Sequence, residues 1–105
     1  MFQGQGVAEA TIAQRLTASP ETSYVAKLHA KGLKKIAQKL GEEATETVIA
    51  ALAGDEKELV GEAADVIFHL MVLLAEKGVK FEQVLAELDR REGVSGITEK
   101  ASRSE

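Results

Sequence analysis

Apolar residues recur along most of the chain three or four positions apart, which is the spacing of one face of an α-helix. The clearest segment begins at Phe81, follows the i, i+3, i+4, i+7 pattern and ends at Gly93. No segment alternates apolar and polar residues in the manner of a β-strand. The pattern therefore predicts an all-α protein, a bundle of about five helices.

Capping and turn residues set the expected bounds of these helices. The first is expected over residues 7–16. Ser19 followed by Pro20 is typical of a helix N-cap with a proline in the first turn, which predicts a second helix over residues 21–30. That helix is expected to end near Gly32, because glycine commonly follows the last turn of a helix.

The third and fourth helices are predicted to form an antiparallel hairpin. The third covers Leu33–Ala53, and the fourth follows an N-cap at Asp55 and ends near Gly78. Only Gly54 and Asp55 separate the two helices. A link this short folds two helices back against each other.

Size and charge exclude several classes of protein. The 105 residues suffice for a single domain over residues 1–105, in which residues 94–105 lack periodicity and are expected to be a mobile tail. The 13 basic and 17 acidic residues give a net charge of −4, which argues against binding to nucleic acid polymers or anionic membranes. With no cysteine, a disulfide scaffold, a zinc finger and a cysteine nucleophile are excluded. Neither a signal peptide nor a membrane span is apparent, so a cytoplasmic protein is expected.

Acidic residues interrupt the apolar surface of the fourth helix. Over residues 63–75 apolar side chains cover most of its circumference, and Glu62, Asp65 and His69 share the remaining sector. Such a helix belongs in a core or an interface, where an unpaired carboxylate is strongly disfavoured. The acidic stripe is therefore expected to face another polar surface.

A second acidic stripe lies on the third helix, where Glu43 and Glu46 repeat the i, i+3 spacing of Glu62 and Asp65. Glu43 and Glu62 stand at nearly the same height on either side of the link, so the four acids are expected to converge. Oxygen ligands suit a hard cation, which predicts a site for Mg²⁺ or Mn²⁺. Such an ion attracts polyphosphate and assists the attack of water on it.

The two motifs, E-x-x-E and E-x-x-D, resemble those of the all-α NTP pyrophosphohydrolase superfamily, also called MazG-like. Within it the sequence is most similar to the phosphoribosyl-ATP pyrophosphatase family of histidine biosynthesis. The resemblance covers most of the chain from about residue 20. The stretches that carry it are Ser23-Tyr24-Val25-Ala26-Lys27-Leu28, Lys39-Leu40-Gly41-Glu42-Glu43-Ala44-Thr45-Glu46, Glu62-Ala63-Ala64-Asp65-Val66-Ile67-Phe68-His69-Leu70 and Glu99-Lys100-Ala101-Ser102-Arg103.

The resemblance implies a magnesium-dependent helical homodimer whose active sites form partly at the dimer interface. It implies hydrolysis of the α–β phosphoanhydride of phosphoribosyl-ATP to phosphoribosyl-AMP and pyrophosphate. The metal ligands would be Glu43, Glu46, Glu62 and Asp65. Glu42 would orient or deprotonate the attacking water, so that Glu42, Glu43 and Glu46 are the expected catalytic acids.

Four basic residues are candidates to bind the phosphates of the substrate. Lys35 and Lys39 precede Glu43 by two turns and one turn on roughly the same face, and ordinary solvated ion pairs are an equally good account of them. Lys100 and Arg103, in the tail, are assigned to phosphates only by the resemblance.

His69 is a candidate to orient a metal ligand. It lies one turn after Asp65 and is expected either to hydrogen-bond to that carboxylate or, more commonly for a histidine on an apolar helix, to be a core residue. No aromatic residue has an obvious stacking position near the acids, and Tyr24 and Phe68 are the only candidates.

Apolar residues on two sides of the fourth helix predict a symmetric homodimer, because a small bundle rarely covers both sides with its own chain. One side has Phe68, Met71, Val72 and Ala75, and the other has Val66, Leu70 and Leu74. Two other functions stay open from the sequence. One is a MazG-like pyrophosphatase of another nucleoside or deoxynucleoside triphosphate, and the other is a non-enzymatic helical dimer that serves as an interaction module.

Overall fold

The computed structural model describes residues 5–92, with side chains from Glu9 onward. Five helices follow one another: α1 (Gln5–Arg15), α2 (Tyr24–Lys31), α3 (Leu33–Ala53), α4 (Glu56–Glu76) and α5 (Phe81–Glu92). Over this range there is no strand, and the prediction of an all-α fold with five helices is confirmed. No helix within residues 5–92 combines the length and the apolarity needed to cross a membrane. The expected tail, residues 94–105, lies outside the described residues.

The second helix begins later than the sequence predicts. Ser19 does not cap a helix, because residues 20–22 form only a single turn, in which the carbonyl of Ser19 accepts the N–H groups of Thr22 and Ser23, each at 3.1 Å. Ser23 is the N-cap instead: its backbone is extended and its Oγ accepts the N–H of Ala26 at 3.2 Å. The helix therefore starts directly after this second serine.

The hairpin of α3 and α4 forms as predicted. Gly54 ends α3 with φ at +81°, a left-handed conformation that glycine adopts without a steric penalty. Asp55 then caps α4, its Oδ1 accepting the N–H of Glu58 at 3.1 Å. This two-residue link sets two 21-residue helices side by side in antiparallel order.

The hydrophobic core lies at the end of the hairpin remote from this link. There α1, α2 and α5 add their apolar residues to those of α3 and α4. The buried residues are Ile12, Val25, Leu28, Ile36, Met71, Val72 and Phe81. Because the three shorter helices gather at this end, they leave the other end of the hairpin uncovered.

One of the two apolar sides predicted for α4 is covered in part by the chain's own helices. Met71 and Val72, which belong to one of the two apolar sides named above, are buried by the chain's own helices. Four of the large exposed apolar side chains lie near the link between α3 and α4. The tip face, as we call this group, consists of Val48, Ile49, Leu52 and Val60.

Candidate active site

The acids predicted from the sequence meet across the hairpin. One carboxylate oxygen from each of Glu43, Glu62 and Asp65 lies within 4.8 Å of the other two. Helical periodicity places Glu62 and Asp65 on adjacent turns of α4, and the short link brings Glu43 of α3 to the same height. The structure thus groups three of the four residues expected to bind a metal.

Glu46 lies beside this group. Burial raises the pKa of both Glu43 and Glu62, and the nearby carboxyl group of Glu46 raises both pKa values further. All four expected ligands therefore interact in one place. The acidic cluster, as it is called from here on, consists of Glu43, Glu46, Glu62 and Asp65.

The crowding of carboxyl groups has its largest effect on Glu62. Burial, followed by the neighbouring Glu46 and Glu43, raises the pKa of Glu62 to about 7. Glu43 is only 9% exposed, and its pKa is raised by burial and then by Glu46 and Asp65. Several like charges in a partly buried site repel one another unless protons or a cation neutralise them.

One carboxylate oxygen in the cluster lacks a partner. Glu62 Oε2 is buried and receives no hydrogen bond from any of the described residues. A buried oxygen left in this way costs free energy, and a bound cation would supply the missing partner. Oxygen donors alone, without histidine nitrogen or cysteine sulfur, form the ligand set that Mg²⁺ and Mn²⁺ prefer. The residues present thus fit a hard divalent cation.

Both candidate lysines lie on the α3 side of the cluster. Lys39 Nζ is 3.3 Å from Glu42 Oε1 and 3.7 Å from Glu43 Oε1. Hydrogen bonds from Gln38 and Lys39 lower the pKa of Glu42, and the charges of Lys39 and Lys35 lower it further. Lys39 thus forms the ion pairs considered as its ordinary role, whereas Lys35 acts on Glu42 through its charge.

Glu42 is not among the converging acids. It is exposed, and its Oε2 accepts a hydrogen bond from Gln38 Nε2 at 2.7 Å. With its pKa lowered by these neighbours, Glu42 is a weaker base than an ordinary glutamate. Its part in activating water stays a prediction.

The predicted hydrogen bond between His69 and the carboxylate of Asp65 is wrong. His69 Nδ1 lies 2.7 Å from the backbone carbonyl oxygen of Asp65, and Nε2 lies 3.1 Å from the hydroxyl of Tyr24. A carbonyl only accepts, so Nδ1 carries the proton. His69 is buried, and both of its ring nitrogens have a hydrogen-bond partner, so it is a core histidine, the second possibility named in the sequence analysis. Its bond to the carbonyl of Asp65 joins two successive turns of α4.

The two aromatic candidates, Tyr24 and Phe68, form one group with His69, and the sequence pattern does not predict this grouping. The rings of Tyr24 and Phe68 are stacked, with centroids 6.1 Å apart and planes 22° apart. His69 meets both rings edge-on, at 5.8 Å and 5.1 Å. Since 45 residues separate Tyr24 from His69, no periodicity links them, and only the packing of α2 on α4 joins the group.

The other two basic candidates, Lys100 and Arg103, lie outside the described residues, and their contact with phosphates stays a prediction.

A family model and individual proteins that resemble this chain carry closely matching descriptions. A family model described as phosphoribosyl-ATP pyrophosphohydrolase matches residues 8–92, which include the whole acidic cluster. A phosphoribosyl-ATP pyrophosphatase of Novosphingobium aromaticivorans is 77% identical over 96 residues, covering 91% of this chain and 90% of that protein. Proteins of the same name from Rhizorhabdus wittichii and Erythrobacter litoralis are 72% and 68% identical, and each alignment covers at least 90% of both chains.

Proposed function

The chain belongs to the phosphoribosyl-ATP pyrophosphohydrolase family, a family of hydrolases, and from that premise we propose that it hydrolyses the α–β phosphoanhydride of phosphoribosyl-ATP with the help of Mg²⁺. The products are phosphoribosyl-AMP and pyrophosphate. This is the second step of histidine biosynthesis, and the proposal places the enzyme in the cytoplasm with the other steps of that pathway. Mn²⁺ is the alternative ion.

The observation that carries the proposal is the convergence of carboxyl groups of Glu43, Glu62 and Asp65 within 4.8 Å of one another. Glu46 interacts with two of them, and Glu62 Oε2 lacks a hydrogen-bond partner among the described residues. Glu43, Glu46, Glu62 and Asp65 would hold the ion. Magnesium, when bound, supplies positive charge that offsets the charge of a phosphate chain and polarises the groups it contacts. An acidic protein otherwise has little attraction for such a chain, because its net charge is −4.

The two lysines beside the cluster would bind the non-bridging phosphate oxygens. Lys39 bridges Glu42 and Glu43 in this structure, so its ammonium is already held at the edge of the acidic cluster. When phosphate oxygens compete for Lys39, Glu42 loses one of the partners that lower its pKa. Glu42 then becomes a stronger base, able to orient a water molecule and accept its proton.

Hydrolysis places the water oxygen on one phosphorus of the anhydride and leaves the bridging oxygen with the other. The proton lost by water goes to a carboxylate, and the catalytic acids of the proposal are Glu42, Glu43 and Glu46. Burial and the neighbouring Glu46 raise the pKa of Glu43, which makes it a stronger base than an ordinary glutamate.

A homodimer is part of the proposal. Exposed apolar residues near the link form the tip face, and Leu52 within it is 84% exposed. Exposed large apolar side chains that cluster at one end of a molecule are typical of an interaction site, and a two-fold dimer buries the same residues on both copies. The tip face adjoins the acidic cluster along α3 and α4, so a second copy seated there would border the active site.

Turnover measurements test the proposed reaction. Release of pyrophosphate from phosphoribosyl-ATP is compared with release from a panel of nucleoside and deoxynucleoside triphosphates, with Mg²⁺ and with EDTA. We expect the highest kcat/KM for phosphoribosyl-ATP and no turnover in EDTA. Preference for a canonical triphosphate would support the MazG-like alternative instead, and no hydrolysis of any substrate would support the interaction module.

Variants of the acidic cluster test the site. Glu46→Gln and Asp65→Asn are expected to lower kcat/KM by about 100-fold or more, because a lost metal ligand removes several kcal/mol of charge stabilisation. Glu58→Gln is the matched control, since this exposed acid lies on α4 one turn before Glu62. Parental activity in both cluster variants would refute the assignment of the site.

A further inference from the structure

The ring of Tyr24 is held in place on several sides and yet remains 46% exposed. Phe68 stacks against it, and His69 contacts it edge-on. Its hydroxyl is engaged with His69 Nε2 at 3.1 Å. Residues that follow it on α2, Val25 and Ala26, are buried, so the backbone at Tyr24 is anchored as well. An aromatic surface fixed in advance loses little conformational entropy when a ligand binds to it.

This exposed ring lies next to both parts of the proposed active site. Its stacking partner Phe68 is one turn beyond Asp65 on α4, so the aromatic group continues the face that bears the acidic cluster. Lys39 Nζ is held 3.3 Å from Glu42 Oε1 and 3.7 Å from Glu43 Oε1, and its charge interacts with the hydroxyl of Tyr24. When the phosphates of a ligand lie between Lys39 and the acidic cluster, the remainder of the ligand can therefore reach the ring of Tyr24.

We infer that Tyr24 is the stacking surface for the purine base of the nucleotide substrate. This inference rests on the proposed function and adds to it the residue that recognises the base. Aromatic rings bind bases through their faces, and one face of Tyr24 is covered by Phe68 while much of the ring remains exposed. The hydroxyl is already bonded to His69, so recognition depends on the ring and not on the phenolic oxygen.

Intrinsic fluorescence tests the contact in the unaltered protein. The chain contains one tyrosine and no tryptophan, so its ultraviolet emission reports Tyr24 alone. With Mg²⁺ present, phosphoribosyl-AMP is expected to quench this emission in a saturable manner after correction for absorption by the nucleotide. Pyrophosphate with Mg²⁺ has phosphates but no base and is expected to leave the emission unchanged. Equal effects of the two ligands, or no effect of the nucleotide, would overturn the inference.

Two substitutions separate the ring from the hydroxyl. Tyr24→Phe keeps the ring, whereas Tyr24→Leu removes it, and both lack the hydrogen bond to His69. For phosphoribosyl-ATP we expect Tyr24→Leu to raise KM about 5- to 100-fold, as the loss of one base–aromatic stack does, with kcat within about twofold. Tyr24→Phe is expected to keep the parental KM.

The two variants also distinguish a binding role from a structural one. Melting temperatures that fall equally in both variants would report the shared loss of the hydroxyl, whereas only the loss of the ring is expected to change KM. An unchanged KM in Tyr24→Leu overturns the inference while leaving the proposed reaction intact. Failure of the parental chain to hydrolyse phosphoribosyl-ATP would instead refute the proposed function. If Tyr24→Leu does not fold, the fluorescence of the parental chain decides the question.

Discussion

Glu9 of α1 caps α5 across the bundle: its Oε2 accepts the backbone N–H of Phe81 at 2.6 Å. The first N–H groups of a helix have no partner within the helix, and Lys80, which precedes α5, has no side-chain acceptor to offer. Gln83 Oε1 accepts the N–H of Lys80 at 2.8 Å but leaves the N–H of Phe81 to Glu9. A residue 72 positions away in sequence thus defines where the last helix begins.

Removal of this cap is expected to destabilise the fold. Glu9→Ala leaves the N–H of the buried Phe81 without its carboxylate partner and is predicted to lower the free energy of unfolding by about 1–2 kcal/mol. Glu9→Gln keeps an acceptor oxygen and is expected to lose less. Urea denaturation measures both values. Asp89→Ala, which removes an exposed carboxylate on α5, is the control, and an equal loss in Asp89→Ala and Glu9→Ala would contradict the capping role.

The acidic cluster could be predicted from the sequence because each step toward it is local. Helical periodicity aligns Glu43 with Glu46 and Glu62 with Asp65, and a two-residue link leaves one way for α3 and α4 to pack. The same reasoning predicted the cap at Asp55, which forms. The positions of the acids along α3 and α4 follow from their distance in sequence to the short link, whatever the other helices do.

Contacts between distant segments could not be predicted in this way. The bond between Glu9 and Phe81 and the stacking of Tyr24 on Phe68 depend on how the shorter helices pack at the far end of the hairpin. The sequence predicts too early a start for α2, and the reason is a different one. Two serines four residues apart offer equivalent caps, and the turn closed by the carbonyl of Ser19 leaves only Ser23 to begin the helix.

Magnesium is expected to stabilise the parental protein against heat. A ligand that binds only the folded state at 100 times its Kd contributes about 2.7 kcal/mol, and a titration of melting temperature against Mg²⁺ measures the effect. Glu46→Gln and Asp65→Asn should abolish the response. Each also removes one carboxyl from a crowded group, so the metal-free variants should be at least as stable as the parent.

The matched control for this titration is Glu58→Gln, which lies outside the acidic cluster and should respond to Mg²⁺ as the parent does. A full response in Asp65→Asn would show that Mg²⁺ binds elsewhere. Variants that are less stable than the parent in EDTA would show that the carboxyl groups do not repel one another.

Stability of the metal-free protein should fall as pH rises toward neutrality. Burial, with Glu46 and Glu43 nearby, raises the pKa of Glu62 from 4.5 to about 7. The folded state therefore binds more protons than the unfolded state between these values, and the free energy of unfolding decreases with pH in this window. The stabilising contribution is complete below the unfolded pKa and is lost as pH rises through the folded pKa.

Urea denaturation in EDTA at about pH 5.5 and about pH 8 measures this dependence. Glu62→Gln, which cannot ionise, should show a smaller difference between the two conditions than the parent. Some difference should persist in the variant, because burial also raises the pKa of Glu43. Glu58→Gln serves again as the control and should keep the parental difference. A metal-free protein that becomes more stable across this range would contradict the raised pKa.

The tip face should control the assembly of the chain. Leu52 is 84% exposed in one copy, and burying a leucine is worth about 1.5–3 kcal/mol. A two-fold interface contains the residue twice, so Leu52→Glu should raise the dimer dissociation constant by about 100-fold or more, as measured by sedimentation equilibrium.

Leu88→Glu makes the same substitution at an exposed leucine on α5, away from the tip face, and should leave the dimer intact. A parental chain that is monomeric at micromolar concentration would contradict the homodimer, and a Leu52→Glu variant that stays dimeric would place the interface elsewhere. Because α3 and α4 bear both the tip face and the acidic cluster, dissociation is also expected to lower hydrolysis of phosphoribosyl-ATP, and Leu88→Glu provides the comparison for that loss.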